Sequence, residues 1–180
     1  YDAVIFDGVA EVPEYSHEEL QNWVQNGHGL LFLPSEKGNI ENYNRFLSLL
    51  NASQFSGVLG EYASFNSITR LGDLNSGHPV LEDLFETSES EQPIRVSKPD
   101  IYYYYNYRMP AKSGGYAILE TETGNPLLAE QSFGDGRVIV SAIGADPGWS
   151  NFPVKALFAP LYYRVALYTA STEKGGIVEH

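Results

Sequence analysis

"YDAVIFDGVAEVPEYSHEELQNWVQNGHGLLFLP", Tyr1 to Pro34, decides the fold class. Two short apolar runs, Asp2–Val9 and Gly29–Pro34, bracket a helix-like stretch. Runs this rich in Val, Ile, Leu and Phe predict strands buried on both faces, as in a parallel sheet. Between them, "HEELQNWVQN" puts Leu20, Trp23 and Val24 on one helical face. Ser16 stands at the N-cap with Glu19 three residues on, the spacing of a capping box. Asn26-Gly27 closes the helix, and Gly27 suits the left-handed C-terminal position. Strand, helix, strand in that order predicts parallel pairing across a helical crossover.

The order then repeats. After the loop "SEKGN", "IENYNRFLSLLN" sets Ile40, Tyr43, Phe46, Leu47 and Leu50 at helical spacing. Beyond Asn51 the pattern turns β-rich, with "GVLGEY", "SFNSITRLG" and "YAILETE" as short strands. His78–Phe85 reads as a short helix with Pro79 in its first turn, and Glu86–Gln92 as a polar, mobile loop. "IRVSKPDIYYYYNYRM" is strand-like but broken at Pro99, which fits an edge strand or two strands. Near the end, Val154, Leu157, Phe158, Leu161, Tyr162 and Val165 share one helical stripe that starts near Asn151 and Pro153. Pro160 predicts a kink or a split there. Residues 1–172 read as one domain, and 173–180 as a frayed polar tail.

Composition bounds the function. The formal charge is −12, which argues against nucleic acid and against contact with an anionic membrane surface. The acidic residues are scattered apart from Glu82-Asp83, Glu86, Glu89 and Glu91, which read as a solvated face. There is no cysteine, so disulfides, thiolate metal sites and cysteine nucleophiles are all excluded. The opening Tyr1-Asp2-Ala3-Val4 reads as the start of a strand in a segment of a longer protein.

Few motifs carry chemistry. Gly134-Asp135-Gly136 invites comparison with a dinucleotide loop, but position 139 is Ile and a strand follows, so it predicts a hairpin turn. No two of His17, His28, His78 and His180 stand at metal-ligand spacing, so neither metal nor cofactor is expected. His78 reads as a helix cap. "NAS", Asn51 to Ser53, matches a glycosylation sequon, a triplet common by chance. In "YYYYNY", Tyr102 and Tyr104 face one way and Tyr103, Tyr105 and Tyr107 the other. Cross-strand aromatic packing is the favoured reading; an exposed tyrosine row binding a peptide or a sugar is the alternative.

Pro126-Leu127-Leu128, Gly134 to Val138, Asp146-Pro147-Gly148-Trp149-Ser150 and Phe158 to Leu161 resemble blocks in Bat-type (aerotolerance-related) double-transmembrane bacterial proteins. His78-Pro79 resembles an upstream piece of the same family, and Tyr1–Pro34 is similar to the opening of a class I glutamine amidotransferase-like domain. The resemblance implies a flavodoxin-like, three-layer α/β/α sandwich with a mostly parallel sheet and an added β-rich segment around Tyr102–Ile143. It also implies a membrane-anchored bacterial parent, with this domain on the periplasmic side of the inner membrane. Amidotransferases use a cysteine at the turn after a core strand; the matching turn here is Pro34-Ser35-Glu36.

The expected function is therefore a non-catalytic interaction domain whose partner is another protein or another region of its parent. A hydrolase with a shifted site using Ser35, Glu36 or Asp146 is one alternative. Binding through Tyr102–Tyr107, with Tyr102, Tyr104 and Trp149 as candidates, is another. The Asp146–Ser150 block itself predicts a clamp: a type II turn at Pro147-Gly148, a helix cap at Ser150 or Asn151, and Trp149 as a plug.

Overall fold

The computed structural model describes residues 1–74, 77–82, 84, 98–109 and 115–171. The expected mobile loop at 86–92, the tail and His180 lie outside the described residues. Among the described residues, nine strands and three α-helices follow in chain order. They are β1 (Ala3–Val9), α1 (His17–Gln25), β2 (Gly29–Pro34), α2 (Ile40–Leu49), β3 (Gln54–Gly60), β4 (Thr69–Arg70), β5 (Asp100–Ile101), β6 (Tyr103–Arg108), β7 (Tyr116–Glu120), β8 (Pro126–Phe133), β9 (Gly136–Ser141) and α3 (Phe158–Ala170).

The main sheet runs β1-β2-β9-β8-β7. β1, β2 and β9 are parallel, and β8 and β7 extend them as an antiparallel meander. This is a mixed α/β fold with a mostly parallel central sheet; the range 102–143, expected as an added β-rich segment, is not separate from it, because β9 is the third parallel strand and sits in the middle of the sheet. β3 pairs antiparallel with β6, and β4 with β5. Phe133 sits opposite Gly136, so Gly134-Asp135 is the predicted two-residue hairpin turn, with Gly134 at φ +59°.

β2 is buried at every position, because it lies between β1 and β9. β1 departs from expectation. It is the edge of the sheet, and Ile5 is 50% exposed. Two glycines bring helices close to the sheet. A Cβ on Gly29 would lie 1.8 Å from the Thr169 carbonyl oxygen of α3, and one on Gly136 2.0 Å from the Val24 carbonyl oxygen of α1. Gly29 is level with Arg137, so Gly29 and Gly136 face opposite sides of the sheet.

Local expectations fared unevenly. Gly27 takes φ +98° as predicted, and Asn39 caps α2 by accepting the Asn42 amide. The capping box at Ser16 does not form. A 3-10 turn over Glu14–Ser16 leads into α1, and the Ser16 hydroxyl donates back to the Pro13 carbonyl. Of the helix expected over 78–85, the described residues form turns instead, with the His78 carbonyl accepting the Leu81 and Glu82 amides. The last helix begins at Phe158 rather than near Asn151, which puts Pro160 in its first turn, where the missing amide has no helical partner to lose. Phe152–Val154 is a separate 3-10 turn. The sequon serine is fully buried, with Ser53 and Gln131 exchanging hydrogen bonds of 2.9 and 2.7 Å. Among the described residues no helix is long and apolar enough to cross a membrane.

Candidate functional site

Parallel strands in an α/β sheet end together, and their carboxyl ends form a crevice. Here Asp7-Gly8 after β1, Pro34-Ser35-Glu36 after β2 and Gly144-Ala145-Asp146 beyond β9 line one small cavity of about 170 Å³. Ser35, Glu36 and Asp146, the candidates of the hydrolase alternative, therefore line the same cavity. Asp7 joins them unforeseen. A bulge between Asp7 and Val9, with Gly8 at φ +67°, turns the end of β1 into the cavity.

The polar groups of this crevice are largely spoken for. The Ser35 hydroxyl donates to Glu36 Oε2 at 3.3 Å and accepts the Lys37 amide at 3.2 Å. The Ser35 amide donates to the Tyr43 hydroxyl at 3.1 Å, which itself donates to the Val9 carbonyl. The Ser35 carbonyl accepts from Tyr105 Oη at 2.8 Å. Asp146 Oδ1 accepts from both the Gly148 amide and Tyr62 Oη at 2.8 Å. Among the described residues no histidine lines the cavity, so none of them offers an imidazole to take a proton from Ser35. Among the described residues no group of three or more His, Asp or Glu is placed to hold a metal ion.

Burial pushes the phenols of Tyr43, Tyr103 and Tyr105 upward, and the hydrogen bond to Asp146 pushes Tyr62 to about 12. All four remain protonated donors near neutral pH. The strand-end loops are thus tied down by tyrosines, which explains most of the strange tyrosine run. Tyr102, Tyr104, Tyr105 and Tyr107 are buried, and Tyr103 half-buried. The exposed row needed for peptide or sugar binding is absent, because β3 covers β6 and Phe55 packs on Tyr105 and Tyr107 at 5.0 and 5.8 Å between ring centres.

Trp149 is fully buried under the crevice, against Tyr62, Tyr103 and Tyr105. It is the predicted plug and presents no ligand-facing ring. Gly148 does not take the positive φ of a type II turn. Its lack of a side chain is used for space: a Cβ would lie 2.3 Å from the Tyr62 ring. Ser150 accepts the Phe152 amide, and Asn151 pairs with Asp100 at 2.8 and 2.9 Å, so this pair caps the 3-10 turn and pins β5 rather than α3.

One cluster escaped the sequence reading. His78, 4% exposed, holds Glu130 Oε2 at 2.8 Å through Nε2, while its Nδ1 accepts the Val80 amide. That acceptor role places the proton on Nε2. Arg137 Nε donates to Glu130 Oε1 at 2.7 Å, and Tyr168 Oη reaches both carboxylate oxygens at 3.1 and 3.2 Å. The Arg137 guanidinium stacks on the Tyr168 ring at 3.7 Å and donates to the Tyr168 and Ser171 carbonyls at the end of α3. His78, expected to cap a helix, instead makes a turn contact, in which the Val80 amide donates to Nδ1 at 3.2 Å. Its charged partner lies 52 residues away, beyond any local signal.

No family model and no curated protein match this chain. Solved structures do. A cytoplasmic protein from Salmonella typhimurium is 15% identical, with TM-score 0.69 over 94% of this chain and 72% of its own. A ThuA-like protein from Bacteroides uniformis is 14% identical, with TM-score 0.67 over 98% of this chain and 72% of its own. A β-galactosidase from Rahnella sp. R3 is 13% identical, with TM-score 0.61 over 93% of this chain and 22% of its own. At these identities the likeness is one of fold: a mixed α/β domain with a mostly parallel central sheet.

Proposed function

We propose that this domain is a non-catalytic interaction module of a larger bacterial protein, built as a three-layer, flavodoxin-like sandwich of the amidotransferase-like kind. The layering rests on Gly29 and Gly136, which admit α3 and α1 to opposite faces of the sheet. The function rests on one observation, the outer edge of β1, which no strand pairs among the described residues. Beside it lies a recess of about 600 Å³ lined by Tyr1, Ala3, Val4, Ile5, Leu20 and Trp23 among others. An uncovered strand edge flanked by apolar side chains is a surface built to be paired. The resemblance of the Pro126–Leu161 blocks to Bat-type proteins supports a membrane-anchored parent and a periplasmic setting.

The test is co-purification of this domain with the remaining regions of its parent, followed by titration calorimetry. Binding that Ile5→Lys abolishes supports the reading; a clean negative at high concentration overturns it.

The second reading is a hydrolase at the strand-end crevice, favoured by the meeting of Ser35, Glu36 and Asp146 around one cavity. Its experiment is turnover of activated esters and nitrophenyl glycosides. Activity lost in both Ser35→Ala and Glu36→Gln would establish it, and activity indifferent to both would remove it.

A further inference from the structure

Residues 61–68 form a loop that leaves β3 and touches the rim of the strand-end crevice on its way to β4. Its two ends are pinned to consecutive residues. The Glu61 amide donates to the Tyr102 carbonyl at 3.2 Å, and the Ile68 amide to the Ile101 carbonyl at 2.9 Å. A loop whose ends are held so close can move as one body. Gly60, at φ +83°, stands at one hinge, where a Cβ would lie 2.0 Å from the Tyr102 carbonyl oxygen.

Two residues between those ends are strained. Ala63 takes φ +56° and Phe65 φ +57°, the left-handed region that glycine, asparagine and aspartate visit far more readily. Each such residue shifts a closed–lifted balance roughly five- to thirtyfold toward any state that releases it. Phe65 gains little from its place: it stays 66% exposed and meets the body edge-on at Tyr102, with ring centres 5.7 Å apart.

What holds the loop down lies at the crevice. From residue 62 to residue 66, among the described residues, two hydrogen bonds reach the body. The Ala63 amide donates to the Gly148 carbonyl at 2.9 Å, and Tyr62 Oη to Asp146 Oδ1 at 2.8 Å. The Tyr62 ring also stands edge to face with Trp149, 6.2 Å between centres. The Ser64 amide bonds the Glu61 carbonyl and the Asn66 amide bonds the Ser64 hydroxyl, so these contacts travel with the loop. Two strained residues set against two bonds leave the closed and lifted states close in free energy.

We propose that residues 61–68 are a strained strap, latched by Tyr62 on Asp146, which keeps that carboxylate out of use until it lifts. Closed, Asp146 Oδ1 accepts from both Tyr62 and the Gly148 amide; lifted, it keeps the Gly148 amide alone and regains an acceptor site beside the crevice. As a control on the crevice the strap rests on the hydrolase reading. As a two-state element it rests on its own geometry.

The test is native-state hydrogen exchange on residues 1–180, followed by NMR in low urea, with Tyr62→Phe and Ala63→Gly. In the wild type the Ala63 amide opens at least about a hundredfold more often than the amides of β2, with a urea slope near zero, because lifting a surface loop exposes little area. Tyr62→Phe removes the latch and speeds that amide about two- to fivefold. Ala63→Gly relieves one strained position. Allowing for the freedom glycine regains in the lifted state, the amide at 63 slows about three- to tenfold after correction for its intrinsic rate. Exchange at 63 that shares the rate and urea slope of β2 means the loop opens only with the whole fold, and overturns the proposal. So does exchange at the free-chain rate, or an Ala63→Gly variant that exchanges no more slowly than wild type. Ester and glycoside turnover in Ser35→Ala and Glu36→Gln tests the hydrolase reading alone. An inactive crevice removes the strap's role as a control and leaves the exchange pattern to decide the strap itself. Where turnover is found, Tyr62→Phe raises it and Ala63→Gly lowers it; turnover indifferent to both overturns the control of Asp146.

Discussion

Glu130→Gln is the sharpest probe of the cluster that joins β8, β9, α3 and the His78 turn. The carboxylate accepts from His78, Arg137 and Tyr168, and its side chain is 14% exposed against 17% for Arg137. The amide keeps one acceptor oxygen but turns an NH2 group toward one of these donors, leaving the guanidinium without its counter-charge. Breaking a fully buried ion pair costs about 3–5 kcal/mol; the partial exposure here lowers the expectation to about 2–3 kcal/mol at pH 7. With a urea slope near 2 kcal/mol/M, the unfolding midpoint falls by about 1 M.

The pH dependence gives the test its discrimination. Burial raises the Glu130 carboxyl, but the hydrogen bond from His78, the Arg137 charge and Tyr168 outweigh it, and the net shift is downward from 4.5. A carboxylate depressed in the folded state stabilises above its unfolded value and loses that contribution as pH falls through its folded one. The gap between wild type and Glu130→Gln is therefore full at pH 7 and narrows progressively below about pH 4.5. Urea titrations from pH 7 to pH 3 measure it. A gap below about 0.5 kcal/mol at pH 7, or one that does not change across the titration, refutes the reasoning.

Further outcomes follow from close contacts elsewhere. Gly29→Ala and Gly136→Ala each drive a methyl into a helix carbonyl, at 1.8 and 2.0 Å, and each lowers Tm by roughly 6–12 °C in a thermal melt, about 3 kcal/mol of overpacking. Trp149→Ala empties the space under the strand-end crevice and costs about 3–5 kcal/mol in denaturant unfolding. Tyr62→Phe costs less than about 1 kcal/mol, because the lost hydrogen bond to Asp146 lies near solvent. Ultraviolet titration is expected to show one fewer upward-shifted phenol in this variant than in the wild type, because Asp146 holds the Tyr62 proton.

The parallel core was legible because it is local in sequence: β1, α1 and β2 occupy consecutive stretches whose periodicities differ, and the two-residue turn at Gly134 announces itself. β1 was misjudged because composition reports how apolar a strand is and not whether it has a neighbour on each side. Ser16 and Pro160 were misjudged for a related reason. Their propensities are real, but the 3-10 turns next to them moved the helix starts, and each residue took another role the geometry allows. The crevice was half legible. Ser35, Glu36 and Asp146 were picked out by strand ends, whereas Asp7 needed the bulge at Gly8, and the His78–Glu130 pair needed a contact no window of sequence contains.

The same distinction decides how the two surfaces are weighed. At the crevice, Ser35 and Asp146 have their hydrogen-bonding capacity directed into the fold, toward Tyr43, Tyr105, Lys37 and the Gly148 turn. Reorienting either group toward a substrate would cost about 1 kcal/mol per bond surrendered, before any transition state is stabilised. At β1 nothing has to be surrendered. Backbone groups face outward along an edge, and Ile5, Leu20 and Trp23 gain by leaving water, at about 25 cal/mol for each Å² covered. A surface that gains by being covered is a stronger pointer to function than a crevice whose groups must first be released.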